Sequence, residues 1–416
     1  MFDLSTSNEL QQQLPTLPFM VMEQSLRNDI DDLVKSQWPK AKLAIVCDRN
    51  TYEALGERVY KALKRFEPSL ILLSDPVEVD DAALAQIEKE SSACDALIAV
   101  GSGTINDLCK YSAAKHDKPY IVLPTAASMN GYVSANASIT LEGHKTTLPA
   151  RMPQAVFCDL SVITAAPSRL AKSGLGDSVA RSTAQVDWLL SHLLLGTTYR
   201  EQPFSLLTTR EPQLFDQAKG IAYSDPATIR LLMEILLLSG FGMTLSGGSY
   251  PASQAEHMVA HAFNMGRSHH SRHVNPMMLA PILHGEEIAV TTLTIAAKQE
   301  RLLQSTVRYD MQPFHAQQIQ ALYGEVTAES AQQAFAQKYT RMQELARGGE
   351  IISNWPSIAE RLASVMLPAA KIRAVLEAAQ CPTTIEALQW DAKEYDEALQ
   401  SARFLRDRFT CLDLRN

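Results

Sequence analysis

Between residues 42 and 160 short apolar or β-branched runs recur along the chain, at Leu43–Cys47, Leu70–Leu73, Ala96–Val100, Tyr120–Leu123 and Ala155–Cys158. Any one of them could be a buried helical segment. Their spacing of roughly 25 residues, with helical periodicity in between, instead predicts βαβ crossovers that build a parallel sheet. The stretch Tyr52–Phe66, with Leu55, Val59 and Leu63 on one face, is the clearest intervening helix. After Pro167 the strand pattern fades, and amphipathic helices are predicted over Arg169–Leu195, Ala227–Leu238, Gln254–Met265, Glu286–Leu303, Ala328–Ala346 and Tyr395–Phe409. The pattern therefore predicts an α/β domain over residues 1–165 and an all-helical domain over 166–416. A cleft between two such domains is the expected place for a ligand.

Composition narrows the class. With 416 residues, 46% hydrophobic and 20% charged, the chain is neither collagen-like nor disulfide-rich nor largely disordered. Lys and Arg number 38 against 46 Asp and Glu, a net charge of −8, which argues against nucleic acid or an anionic membrane as a partner. A small anion needs only a local basic pocket. The six cysteines contain no CxxC pair and read as reduced thiols of a cytoplasmic protein. The N-terminal residues show no basic region followed by an apolar run, and the stretch from Ile229 to Leu245, broken by Arg230, Glu234 and two glycines, reads as too short to span a bilayer.

The run Ala96–Val100 passes directly into Gly101-Ser102-Gly103-Thr104-Ile105 and then into a helical stretch. Two glycines allow a tight turn and close approach of a ligand, and the amides of the following helix favour a phosphate, in the manner of a Rossmann-like nucleotide cradle. An ordinary strand-to-helix turn with a capped helix explains the same residues. Asp48 ends the first run, where it can accept from an adenosine ribose hydroxyl or form a turn. Thr125-Ala126-Ala127-Ser128 follows the fourth run with hydroxyls and small side chains.

Six of the ten histidines fall between residues 257 and 284. His257 and His261, four apart, share a helical face, and His284 precedes a new helix. With Asp177, two imidazoles suit a divalent metal and leave coordination positions open to substrate oxygen. Read singly, Asp177 is a helix cap and the histidines are core or surface residues. His269, His270 and His273, interleaved with Arg267 and Arg272, form either a solvated loop or a cationic loop that holds a substrate phosphate.

Taken in order, GSGTINDLCKY, PTAASMNGYVS, GLGDSVARSTAQVDW, SQAEHMVAHAFNM and LHGEEIAV resemble the motifs of the sn-glycerol-1-phosphate dehydrogenases. This family lies within the iron-containing alcohol dehydrogenase and dehydroquinate synthase-like superfamily. The resemblance is to its bacterial members above all and spans about residues 40–300. It implies that NAD(H) or NADP(H) is bound by Asp48, by Gly101, Ser102, Gly103, Thr104 and Ile105, by Thr125, Ala126, Ala127 and Ser128, and by Ser134.

The resemblance also implies one divalent metal, zinc, nickel or iron, on Asp177, His257 and His284. His261 and Asp177 are implied at the reacting end of the substrate, and the enzyme is implied to be a homodimer. The implied reaction is hydride transfer between dihydroxyacetone phosphate and sn-glycerol 1-phosphate. Asn130 stands where members typically carry a substrate-binding aspartate, so it is the residue expected to bear on substrate choice. Dehydrogenation of another small polyol or aldehyde is the alternative, followed by a dehydroquinate synthase-like elimination and by a binding protein that kept the fold.

Overall fold

In chain order the strands are β1 (Phe19–Glu23), β2 (Leu43–Cys47), β3 (Ser69–Leu72), β4 (Ala96–Gly101), β5 (Tyr120–Pro124), a pair β6 (Asn136–Leu141) and β7 (His144–Pro149), and β8 (Ala155–Asp159). The structure is a computed structural model and describes residues 17–26, 29–75, 77–141, 144–270 and 282–416, with backbone alone for 144–146 and 268–270. Six strands form one sheet in the order β1-β8-β5-β4-β2-β3, and every pairing in it is parallel. Each residue of β2, β4, β5 and β8 is buried. Strands covered on both faces have no solvent side to alternate toward, which is why these segments read as unbroken apolar runs.

Two features escape the periodicity. β1 is an edge strand only five residues long that adds to β8, and it lies outside the regular spacing of the runs between residues 42 and 160. The antiparallel pair β6–β7 carries one Ser and three Thr among its twelve residues, and it forms a separate two-stranded sheet. The helical face anticipated at Leu55, Val59 and Leu63 is buried against Ile45, Ile98, Ile121 and Phe157 in one apolar cluster.

Five helices matter for the site: α1 (Gly103–Lys115), α2 (Ser168–Leu195), α3 (Pro226–Leu245), α4 (Ala255–His270) and α5 (His284–Leu303). The chain divides into two compact units. One comprises the residues up to Gly174 with Ser205–Ser249, and the other comprises Leu175–Phe204 with Tyr250–Asn416. Relative to the expected boundary after residue 165, the segment 205–249 returns to the sheet-bearing unit. Its helix α3 packs Gly240 so closely on the Asn130–Val133 loop that a Cβ there would lie 2.8 Å from the Asn130 carbonyl oxygen.

The apolar stretch read as too short to cross a bilayer needs correcting. α3 has 20 residues and is apolar enough by length and composition to span one, but 78% of its most apolar window is buried inside the protein. Its hydrophobicity is spent on the core.

Within the sheet-bearing unit a charge is buried on purpose. Lys110, fully buried on α1, donates through Nζ to the carbonyls of Gly131 at 2.5 Å and Asn136 at 3.0 Å, and also reaches Ser134 Oγ and Asp107 Oδ1, each at 3.2 Å. Burial lowers its pKa, while the Asp107 carboxylate works against that shift. One ammonium thus ties the loop carrying Asn130 and Ser134 to the helix that follows the glycine turn. Removing one partner of a buried polar set leaves the others desolvated and unmet. Lys110→Met should therefore cost about 3 kcal/mol of unfolding free energy in urea titration. An unchanged midpoint and slope would show that the ammonium ties nothing together.

Candidate active site

In the sheet-bearing unit β4 delivers Gly101 and α1 begins at Gly103. Neither glycine has a positive φ, so the turn does not use left-handed backbone. Gly101 is needed for space, since a Cβ there would sit 2.5 Å from Ile105 Cγ1. A Cβ on Gly103 would first meet the flexible Met129 side chain, at 3.2 Å. Ser102 occupies the cap position of α1, but its side chain makes no capping hydrogen bond. Uncapped first-turn amides and the positive end of the helix dipole suit a phosphate.

The second segment joins the turn directly, as Thr125 N donates to the Gly101 carbonyl at 3.2 Å. Ala126, Ala127, Ser128, Asn130 and Ser134 are all buried around it. Tyr132, also buried, donates to the Ala126 carbonyl at 2.7 Å. Asp48, at the end of β2, caps the following helical turn: Oδ1 accepts from Thr51 N at 2.7 Å, and Thr51 Oγ1 accepts from Asp48 N at 3.0 Å. The turn-forming role is thus realised in its geometry.

The second unit assembles the titratable groups. Asp177 lies well inside α2 and is not a helix cap. Its Oδ1 stands 3.6 Å from His257 Nε2 on α4 and 3.9 Å from His284 Nε2 at the start of α5. One donor atom from each of the three lies within 4.8 Å of the others. The approach is made possible by glycine: a Cβ on Gly176 would fall 2.0 Å from the Gly285 carbonyl oxygen, so α2 and α5 touch backbone to backbone beside Asp177 and His284. The small cluster Ala180, Ala260 and Ile288 packs about one turn further along the same three helices.

The donor set fits a divalent ion of borderline softness, with one carboxylate and two imidazoles. His257 Nδ1 meets Glu256 Oε1 at 2.9 Å, which directs the ring's Nε2 toward Asp177. Glu256 is itself buried and held, with Oε1 accepting from Gln254 N at 2.7 Å and Oε2 from Thr183 Oγ1 at 3.0 Å. Burial disfavours charge on His257, yet the carboxylates of Asp177 and Glu256 outweigh it and raise its pKa. A pocket with two buried carboxylates around an imidazole calls for a cation.

His261 stands one turn along α4, its ring centroid 6.0 Å from those of both His257 and His284. Arg406 Nη2 lies 3.3 Å from its Nδ1. A guanidinium can only donate, so Nδ1 is the unprotonated nitrogen and the ring proton sits on Nε2. Arg267 lies over the Phe263 ring. The side chains of His269, His270, Arg272 and His273, read above as a cationic loop, lie outside the described residues.

Glu256, Lys110 and Arg406 are the groups that sequence reasoning missed. Glu256 is adjacent to His257, and a carboxylate beside a candidate ligand was a usable signal. Arg406 is separated from His261 by 145 residues, and no local pattern links them.

Comparison with known proteins gives the family. The model of the iron-containing alcohol dehydrogenase family matches residues 21–167. The glycerol-1-phosphate dehydrogenase [NAD(P)+] of Bacillus subtilis is 30% identical over 355 residues, covering 82% of this chain and 88% of that protein. The chain belongs to the glycerol-1-phosphate dehydrogenase family. It is accordingly an oxidoreductase. Another member of the family, from Thermococcus sibiricus, is 34% identical over 277 residues, 65% of this chain and 75% of its own. The fold is also that of NADH-dependent butanol dehydrogenase A from Thermotoga maritima, at a TM-score of 0.59 and 12% identity over 94% of this chain and 90% of that one.

A carboxylate behind a metal-binding histidine fixes the ring and raises its basicity, typically worth 10- to 100-fold in metal affinity. Glu256→Gln should accordingly bind zinc about 10- to 100-fold more weakly in competition with a chromophoric chelator. The same zinc affinity in parent and variant would separate Glu256 from the donor set.

Proposed function

We propose that the protein reduces dihydroxyacetone phosphate to sn-glycerol 1-phosphate, reversibly, with NAD(P)H and one divalent metal ion. The observation that carries this reading is the set Asp177, His257 and His284, the first two buried and the third part-exposed, with donor atoms within 4.8 Å, in a chain of this family. When bound, the nicotinamide supplies the hydride, and an ion held by those three side chains supplies polarisation of the ketone oxygen.

The remaining work falls to the chain. The first-turn amides of α1 bind the cofactor diphosphate, and Gly103 lets it approach because no Cβ stands in the way. Thr125 and Ser128 supply hydroxyls for the cofactor, and Ser134, its own hydroxyl bonded to Lys110 and to the carbonyls of Gly131 and Asn136, shapes the loop beside it. Asn130 offers a substrate hydroxyl both a donor and an acceptor, where a carboxylate could only accept. His261 presents Nε2–H to the substrate oxygen, its tautomer set by Arg406, and is the residue that holds the proton there.

The test is an assay of NADH and NADPH oxidation with dihydroxyacetone phosphate and, in parallel, unphosphorylated dihydroxyacetone. Turnover of the phosphate ester should exceed that of the free ketone, disappear on exhaustive chelation and return with zinc, nickel or ferrous ion. Full activity in the chelated protein would refute the metal, and a preference for the free ketone would replace the substrate with an unphosphorylated polyol.

A further inference from the structure

The chain's last residues bring a group of arginines to the second unit, and most of them are already committed. Arg403 is paired with Asp310 at 3.2 Å and with Asp413 at 3.1 Å. Arg408 donates to the Ser253 carbonyl and lies 4.5 Å over the Tyr250 ring. Arg415 meets Glu350 at 3.5 Å. Arg406 differs. Among the described residues no carboxylate pairs with it, and its polar contact is the one to His261 Nδ1.

Such an arrangement is costly unless something is to be bound. Burial pulls the Arg406 pKa below its ordinary value, only partly offset by the neighbouring Asp407, and Arg408 is lowered by burial first and by like-charge repulsion from Arg406 second. A part-buried guanidinium that donates to an imidazole nitrogen has no carboxylate among the described residues paired with it to balance its charge. It has five N–H donors in a planar fork, and the bond to His261 uses one. That fork matches the oxygens of a phosphate in a bidentate way that an ammonium cannot.

We infer that Arg406 is the phosphate-recognising residue of this site, binding the phosphate monoester of a small hydroxyketone whose oxygen is met by His261. The proposal rests on the dehydrogenase reading for its substrate, but the anion site itself does not. The same guanidinium then performs two tasks through different N–H groups. It holds His261 in the Nε2–H tautomer, and it makes the unphosphorylated ketone a poorer ligand than the ester.

The metal-loaded protein and its Arg406→Met and Arg406→Lys variants should be compared in two measurements. The first is the ratio of kcat/KM for dihydroxyacetone phosphate over dihydroxyacetone, and the second is calorimetric titration with inorganic phosphate. In Arg406→Met the ratio should fall roughly 10- to 100-fold, chiefly through KM for the ester, and phosphate should bind more weakly by a similar factor. NADH affinity and metal content should match the parent. Arg406→Lys, which keeps the charge and loses the fork, should fall between the two, and it carries the test if the Met variant does not fold. An unchanged ratio together with unchanged phosphate binding in the variants overturns the inference. If the parent fails to reduce the ester while its phosphate binding still depends on Arg406, the anion site stands and the dehydrogenase reading falls.

Discussion

The backbone contact of Gly176 with Gly285 is the constraint on which the candidate metal centre depends. Donor atoms that share an ion of about 2 Å bond length must come from elements nearly in contact. With room for a Cβ refused at 2.0 Å from the Gly285 carbonyl, α2 meets α5 at the residues that precede Asp177 and follow His284. Ala180 and Ala260, packed with Ile288, keep the third helix close as well. Small residues here are a condition of the chemistry. A larger side chain would separate the donors before it disturbed the rest of the fold.

Behind the donors lies a buried polar chain that reaches as far as Cys411. Glu256 orients His257 and is held by Thr183. The carbonyl of Thr183 accepts from Gln299, which also donates to Asp187 at 3.0 Å, and Asp187 accepts from Cys411 N at 2.9 Å. Burial, together with the Glu256 carboxylate, pushes the Asp187 pKa up to about 7. Cys411 is thus fastened to this chain, and Arg406, five residues before it, meets His261. The sheet-bearing unit solves the matching problem with Lys110, which holds the Asn130–Ser134 loop from below.

The parallel sheet was legible because its strands are buried on both faces and therefore appear as continuous apolar runs at regular spacing. β1 was not, since a five-residue edge strand carries no such spacing, and the polar β6–β7 pair leaves no apolar run. His257 and His261 could be placed on one face from their separation alone. Asp177 could be linked to them only through the ordered motifs, because its partners lie 80 and 107 residues away and its helical neighbours say nothing of them. At the Gly101 turn, read from the sequence as tight and open to a ligand, the structure adds that the glycine makes space for Ile105, with no positive φ. Arg406 had no signal at all, being joined to its partner purely by tertiary structure.

The central claim is that Asp177, His257 and His284 together hold one catalytic ion. Metal content by mass spectrometry of the acid-digested protein tests it most directly, comparing the parent with Asp177→Ala after identical metal loading and dialysis against a weak chelator. The account predicts about one divalent ion per parent chain and essentially none in the variant, with unchanged circular dichroism in both. Equal metal content in the two proteins would contradict it.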